Sequence, residues 1–208
     1  MKKIPTLFQR IYKNHKVIGI TQEVTEGCEP VIQGIATPTV KYDGSCCAII
    51  SGNLYKRYDA KKGKTPPVGS IPCQESPDPV TSHWPHWVKC DHDNPSDRWF
   101  FEALLSTHYD HLPSSTYEAI GPHFQGNPYN LRFDTLIGHG QSVINQPLDN
   151  YEDIRKYLQE HAIEGIVFWY NGSPLCKIKR SDFGFKWPIT QREIDEDGKV
   201  IRTGRWDL

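Results

Sequence analysis

Asn171-Gly172 stands between two apolar-rich runs, 164–170 and 175–179. Both residues of the pair tolerate positive φ, which makes Asn-Gly one of the strongest short-range signals for a tight β-hairpin. This part of the chain is thereby committed to antiparallel strands. Period-2 geometry places Lys177 and Lys179 on one face and Ile178 on the other. Two ammonium groups near the start of an opposing strand that bears Glu164 make a place for an anion with a metal beside it. The plainer alternative is an exposed hairpin with ordinary surface lysines. A second hairpin is read at 46–51 and 54–59, turned at Gly52-Asn53. With 16 Gly and 16 Pro, the composition suits strands and turns better than a helix bundle.

Directly before that second hairpin runs Thr39-Val40-Lys41-Tyr42-Asp43-Gly44-Ser45. Lys41 is read as a nucleophile, which requires its neutral form to be favoured by desolvation or by nearby cations. Val40 and the run 46–50 supply the apolar surroundings, and Lys177 and Lys179 the cations. Gly44 lets a backbone or a phosphate approach closely. The returning strand carries Lys56 and Arg57 back past Lys41, with a solvated strand charge as the bland reading of Arg57.

Elsewhere, 16–25 reads as a strand closed by Glu26-Gly27, and 1–15 as a basic, mixed segment. Residues 63–96 form a long irregular stretch dense in proline, a kind of loop more often functional than filler. Its Cys73, His83, His86, Cys90 and His92 raise a zinc site, but the spacings fit no standard finger, and packing of Trp84, Trp87 and the histidines onto the sheet is the competing reading. An amphipathic helix is expected over 97–109, capped by Ser96, with Phe101, Leu104, Leu105 and His108 on its buried face. Then come a strand at 116–121 with Glu118 opposite Tyr117 and Ala119, and another at 131–137 bearing Phe133. A helix opens with a capping box at 149–152 and runs through His161, with Ile154, Tyr157 and Leu158 buried. A last hairpin is read over 193–202.

The chain has 208 residues, 24 basic and 25 acidic side chains and a net charge of −1, so one domain with one core is expected over 1–208. A nucleic-acid partner then needs a local basic surface, for which Lys56, Lys61, Lys62 and Lys64 are candidates. Six cysteines without Cys-x-x-Cys spacing, and no apolar run long enough for a signal peptide or a membrane span, give the expectation of a soluble, intracellular, cytoplasmic protein in a reducing compartment. No protein partner is evident.

Five segments occur in a known order: Lys41-Tyr42-Asp43-Gly44, Arg57, Tyr117-Glu118-Ala119-Ile120-Gly121, Glu164-Gly165-Ile166-Val167-Phe168 and Lys177-Ile178-Lys179. They resemble motifs I, Ia, III, IV and V of the covalent nucleotidyltransferases, the superfamily of polynucleotide ligases and RNA-capping enzymes. The ordered set is far more specific than any one member of it. The stretch Gly121-Pro122-His123-Phe124-Gln125-Gly126-Asn127-Pro128-Tyr129 and the His83-Trp84-Pro85 loop look like the small stand-alone RNA ligases. The resemblance implies an α+β fold, an ATP-grasp-like adenylation domain of antiparallel sheets with flanking helices. It also implies that Lys41 forms a lysyl-AMP phosphoramidate and that Val40 lies against the nucleotide. Arg57 is implied to contact a phosphate, Glu118 to hold the ribose hydroxyls, and Phe133, equally readable as a core residue, to stack on adenine. Glu164 binds the catalytic Mg²⁺ or Mn²⁺ in this reading, while Lys177 and Lys179 stabilise charge on the α-phosphate. Cys46 departs from the arginine that many DNA ligases and capping enzymes carry. Only residues 180–208 follow motif V, too few for the OB domain those enzymes append. The implied activity is ATP-dependent joining of RNA 5′-phosphate and 3′-hydroxyl ends. A nucleotidyltransferase that uses GTP or stops at end adenylation, and a nucleotide- or RNA-binding module without turnover, are the competitors.

Overall fold

The computed structural model describes residues 2–14, 16–79, 81–107, 112–189, 194–197 and 199–200. Strands β1 (Phe8–Lys13) and β2 (Lys16–Val24) pair antiparallel. β1 falls in the segment that its basic, mixed composition left without an element, because only Phe8 of its six residues is buried. Helix α1 (Glu29–Ile32), with Pro30 in its first turn, leads to β3 (Thr37–Lys41). β4 (Ser45–Ile50) and β5 (Asn53–Ala60) turn through Ser51 and Gly52, whose φ values of 48° and 75° are those of a type I′ turn. The turn therefore sits one residue earlier than Gly52-Asn53, and Asn53 opens the strand.

Within 63–96, β6 (Ile71–Pro72) and β7 (Trp84–Lys89) form sheet where an irregular loop is expected. β7 pairs with β5 and β6, Pro85 accepts from the Cys73 amide at 2.9 Å, and His86 and Trp87 are buried. A 3₁₀ turn at Pro95–Asp97 precedes α2 (Arg98–Ser106). Ser96 sits inside that turn instead of capping the helix, and its amide donates to Asn94 Oδ1 at 3.0 Å. Ala103 is fully buried whereas Leu105 is 84% exposed, so the apolar stripe is rotated away from Leu105. His108 and Tyr109 lie outside the described residues.

β8 (Ser115–Ile120) buries Tyr117 and Ala119, as alternation predicts, and β9 (Thr135–Gly138) begins only after Phe133. α3 (Tyr151–Glu160) is capped by Asn150, one residue beyond Asp149, accepting from the Asp153 amide at 2.9 Å. β10 (Gly165–Tyr170) and β11 (Ser173–Lys179) turn through Asn171 and Gly172 at φ 49° and 72°. A 3₁₀ turn, Arg180–Phe183, follows. Of the hairpin over 193–202, an Ile194–Val200 bridge is present; Glu193, Gly198, Ile201 and Arg202 lie outside the described residues.

The chain forms two compact units, one of Met1–Lys3 with Asp43–His139 and the other of Ile4–Tyr42 with Gly140–Leu208. The first holds a six-stranded sheet ordered β6-β7-β5-β4-β8-β9, with Cys47, Leu54, Tyr117 and Leu136 packed with Ala103 of α2. The second holds the sheet β11-β10-β3 and the β1-β2 pair around Leu7, Ile154, Leu158, Ile166, Phe168 and Ile178. Two apolar clusters thus stand where one core is expected. Among the described residues the architecture is α+β, mostly antiparallel and without a barrel, and no helix is long and apolar enough to cross a membrane.

Candidate functional site

In the second unit β10 is the central strand, and Gly165 pairs with Lys41 of β3 on one side and Lys179 of β11 on the other. A Cβ on Gly165 would stand 2.2 Å from the Ile178 carbonyl oxygen, so glycine is what allows this close pairing. Glu164, just before the strand, is 5% exposed. One of its carboxylate oxygens accepts from Lys41 Nζ and the other from Lys179 Nζ. Ile178 is fully buried, which turns its neighbours Lys177 and Lys179 to the opposite face, as strand alternation predicts.

Lys177 is fixed along its backbone: its amide donates to Pro5 at 3.0 Å and its carbonyl accepts from Leu7 at 2.8 Å. Burial first, then the positive charges of Lys41, Lys179 and Arg10, lowers its ammonium to about 8, with Glu164 acting in the other direction. Buried Asp182 accepts from the Lys179 amide at 2.9 Å and from Arg10 at 3.1 Å, tying β1 to the same place. Four basic side chains therefore surround two buried carboxylates, an excess of positive charge suited to a polyanion. Thr39 fixes β3 by donating to the Val167 carbonyl at 2.9 Å. Val40 is half-buried against the apolar cluster, and its amide donates to Ser142 at 2.9 Å.

The first unit presents a transverse row on one face of its sheet. Cys46 of β4 lies directly across from Glu118 of β8, and Glu118 from Ile137 of β9. Arg57 of β5 donates toward the Cys46 sulfur and pairs with Asp59 at 2.9 Å. Burial and then the Glu118 carboxylate push the Cys46 thiol up to about 12. His139 Nε2 meets Glu118 at 2.9 Å, and its Nδ1 meets the Thr116 hydroxyl at 3.0 Å. Sequence reasoning missed His139; the signal was its place two residues after Ile137, which returns it to the Glu118 face. Arg10 and Asp182 were missed as well, since nothing local pairs residues so far apart in sequence.

The Asp43-Gly44 segment is gripped by the Gly121–Tyr129 stretch. Tyr129 Oη accepts from the Asp43 amide at 2.6 Å and Gln125 donates to the Gly44 carbonyl at 3.2 Å. A Cβ on Gly44 would lie 2.2 Å from the Ala119 carbonyl oxygen, so the close approach that needs glycine here is to a backbone. Phe133, 73% exposed, has not entered a core, and Lys56 is taken up by an ion pair with buried Asp97. Lys61, Lys62 and Lys64 are exposed. The loop residues Cys73, His83, His86, Cys90 and His92 do not assemble into a ligand cluster among the described residues. His86 instead bonds the Trp84 carbonyl, Cys90 joins the core, and His92 stacks on Phe101 at 3.7 Å.

The model of the family described as RNA ligase 1 matches residues 102–207, just over half of the chain. The chain belongs to the RNA ligase 1 family. The matched stretch contains Glu118, Phe133, Glu164, Lys177 and Lys179, while Arg57 and Lys41 precede it. RNA ligase 1 of Danio rerio is 28% identical over 156 residues, which are 60% of this chain and 48% of that protein. RNA ligase 1 of Pongo abelii is 26% identical across 80% of this chain and 73% of that protein. For RNA ligase 1 of Rattus norvegicus the identity is 26% over 150 residues, 57% of this chain and 46% of that protein. The chain thus spans about half the length of the Danio rerio and Rattus norvegicus relatives.

Proposed function

We propose that this RNA ligase 1 family chain is an ATP-dependent RNA ligase that joins a 5′-phosphate to a 3′-hydroxyl through a lysyl-AMP intermediate. The observation that carries this reading is the Glu164 carboxylate shared by Lys41 and Lys179, with Lys177 on the same strand face. A binding module has no use for a lysine held this way, whereas a nucleophilic amine next to an anion site does.

In the first step the Lys41 amine attacks the α-phosphorus of ATP. A P–N bond forms and the bond to the β-phosphate oxygen breaks, releasing pyrophosphate. The lysine must first lose its ammonium proton to solvent, and the Glu164 oxygen that accepts from Nζ positions the amine beside the anion site. Lys177 and Lys179 face the charge that builds on the α-phosphate, the kind of electrostatic support that dominates phosphoryl transfer. The AMP then passes to an RNA 5′-phosphate oxygen, and a 3′-hydroxyl displaces AMP to close the backbone. In this reading Arg57 contacts a phosphate, Glu118 holds the ribose, and Val40 and Phe133 bound the nucleotide.

Glu164 is a buried carboxylate that draws two ammonium groups, donor chemistry that fits a hard divalent cation. Glu164 would hold Mg²⁺ or Mn²⁺, which supplies neutralisation of the triphosphate charge.

The test is intact-mass measurement after incubation with Mg²⁺ and either ATP or GTP, on protein first stripped by pyrophosphate. One AMP on the parent and none on Lys41→Ala is the expected result. An adduct with GTP alone would replace the nucleotide assignment, and no adduct with either would end the ligase reading.

A further inference from the structure

Cys46 stands where many DNA ligases and capping enzymes carry an arginine, and the nucleotidyl-transfer reading gives its thiol no task. Its surroundings suggest one. Cys46 Sγ, a Glu118 carboxylate oxygen and an imidazole nitrogen of His139 all lie within 4.8 Å of one another. One sulfur, one nitrogen and one oxygen donor from three side chains is the donor set of an open Zn²⁺ site. Cys46 and Glu118 are direct cross-strand partners in one sheet, and His139 directly follows β9, its amide donating to the Thr116 carbonyl at 3.1 Å. His139 is also oriented from behind, its Nδ1 meeting the Thr116 hydroxyl at 3.0 Å, the outer-shell support that zinc-binding histidines ordinarily have. A second group, Glu102, His123 and Asp134, offers no sulfur donor, and its Glu102 is held by Arg98 at 2.7 Å, so it does not match the donor set of a borderline cation.

We propose that Cys46, Glu118 and His139 bind a borderline divalent cation of the Zn²⁺ class, and that this cation and the nucleotide ribose exclude one another. Binding forms a sulfur–metal bond and releases the Cys46 thiol proton to solvent, while neutral His139 offers Nε2 to the metal and keeps its single ring proton on Nδ1, facing the Thr116 hydroxyl. No electron changes hands. The cation would use the Glu118 carboxylate that the ribose also needs, so the exclusion clause rests on the nucleotide reading above, while the cation site itself does not.

Co²⁺ is the probe, because a thiolate ligand gives it a charge-transfer band and tetrahedral coordination gives it intense visible bands. It is added to the full chain after treatment with pyrophosphate and Mg²⁺ and desalting. The parent and Cys73→Ala should develop the thiolate band. Cys46→Ala should lose it entirely, and His139→Gln should bind Co²⁺ about tenfold or more weakly, each with an unchanged far-ultraviolet circular dichroism spectrum. No band in the parent, or a band that persists in Cys46→Ala, overturns the site. Adenosine, which carries the ribose without a chelating triphosphate, should abolish the band at a concentration that blocks self-adenylation. A band that resists adenosine under that condition leaves the cation site standing and removes the ribose role from Glu118.

Discussion

An ammonium lowered to about 8 changes its charge within the pH range in which an enzyme is assayed, and Lys177 is such a group. Between about 8 and the ordinary lysine value of 10.5 the unfolded chain holds this proton and the folded chain does not. Stability therefore gains from this residue as pH rises through that window, and bears the full cost of the buried charge at and below neutrality. Lys177→Met should raise the urea midpoint at pH 7 and flatten its rise toward pH 10. For self-adenylation the sign is reversed, since the charge is what serves the α-phosphate. The rate should decline above pH 8, and Lys177→Arg, which keeps its charge, should move that decline to higher pH. Glu164→Gln leaves Lys41 and Lys179 without their shared carboxylate and should cut the adenylation rate by about 10²–10³-fold in a stopped-time assay of labelled AMP transfer. These residues were legible because each lies in a short motif of fixed spacing. His139, Arg10 and Asp182 were not, because their partners are reached only through strand pairing.

Elements were legible where local chemistry and burial agree. Asn171-Gly172 adopts the two positive φ values its residue types allow, and the strands it joins alternate as the sequence does. β7 was hidden by Pro85 and by the prolines around it, although a proline can stand in a strand near a sheet edge. β1 was hidden because five of its six residues remain at least partly exposed, so it carries no apolar alternation. Helix α2 was placed correctly in the chain but rotated, since Ala103 rather than Leu105 meets the sheet. Close packing between β4 and β8 gives an element-scale expectation. Gly44→Ala forces a methyl against the Ala119 carbonyl 2.2 Å away and should cost roughly 1–3 kcal/mol or more in denaturant unfolding.

At the scale of the molecule, a net charge of −1 gives no general attraction to RNA, so affinity has to come from local basic groups. Removing the exposed charges of Lys61, Lys62 and Lys64 together should weaken RNA binding, and the dependence of log affinity on log salt should become shallower by about 0.7 for each phosphate that these lysines neutralise. Filter binding over a salt series reads both. A change confined to affinity with the salt slope intact would remove these lysines from the RNA interface. The two apolar clusters make a separate expectation: Leu158→Ala, at a fully buried position of α3, should cost about 2–5 kcal/mol by loosening the core behind β10 and β11.

Gly165 is one residue wide, and Lys41 and Lys179 meet across it from opposite sides. Strand side chains alternate, so a single-residue insertion or deletion inside β10, or in the two-residue turn after it, would send one of the lysines to the wrong face of the sheet. The stretches around 61–70 and 74–83 carry no such arithmetic. Lineages of this sequence should therefore vary freely in length there, while the spacing from Glu164 to Lys179 stays fixed to the residue.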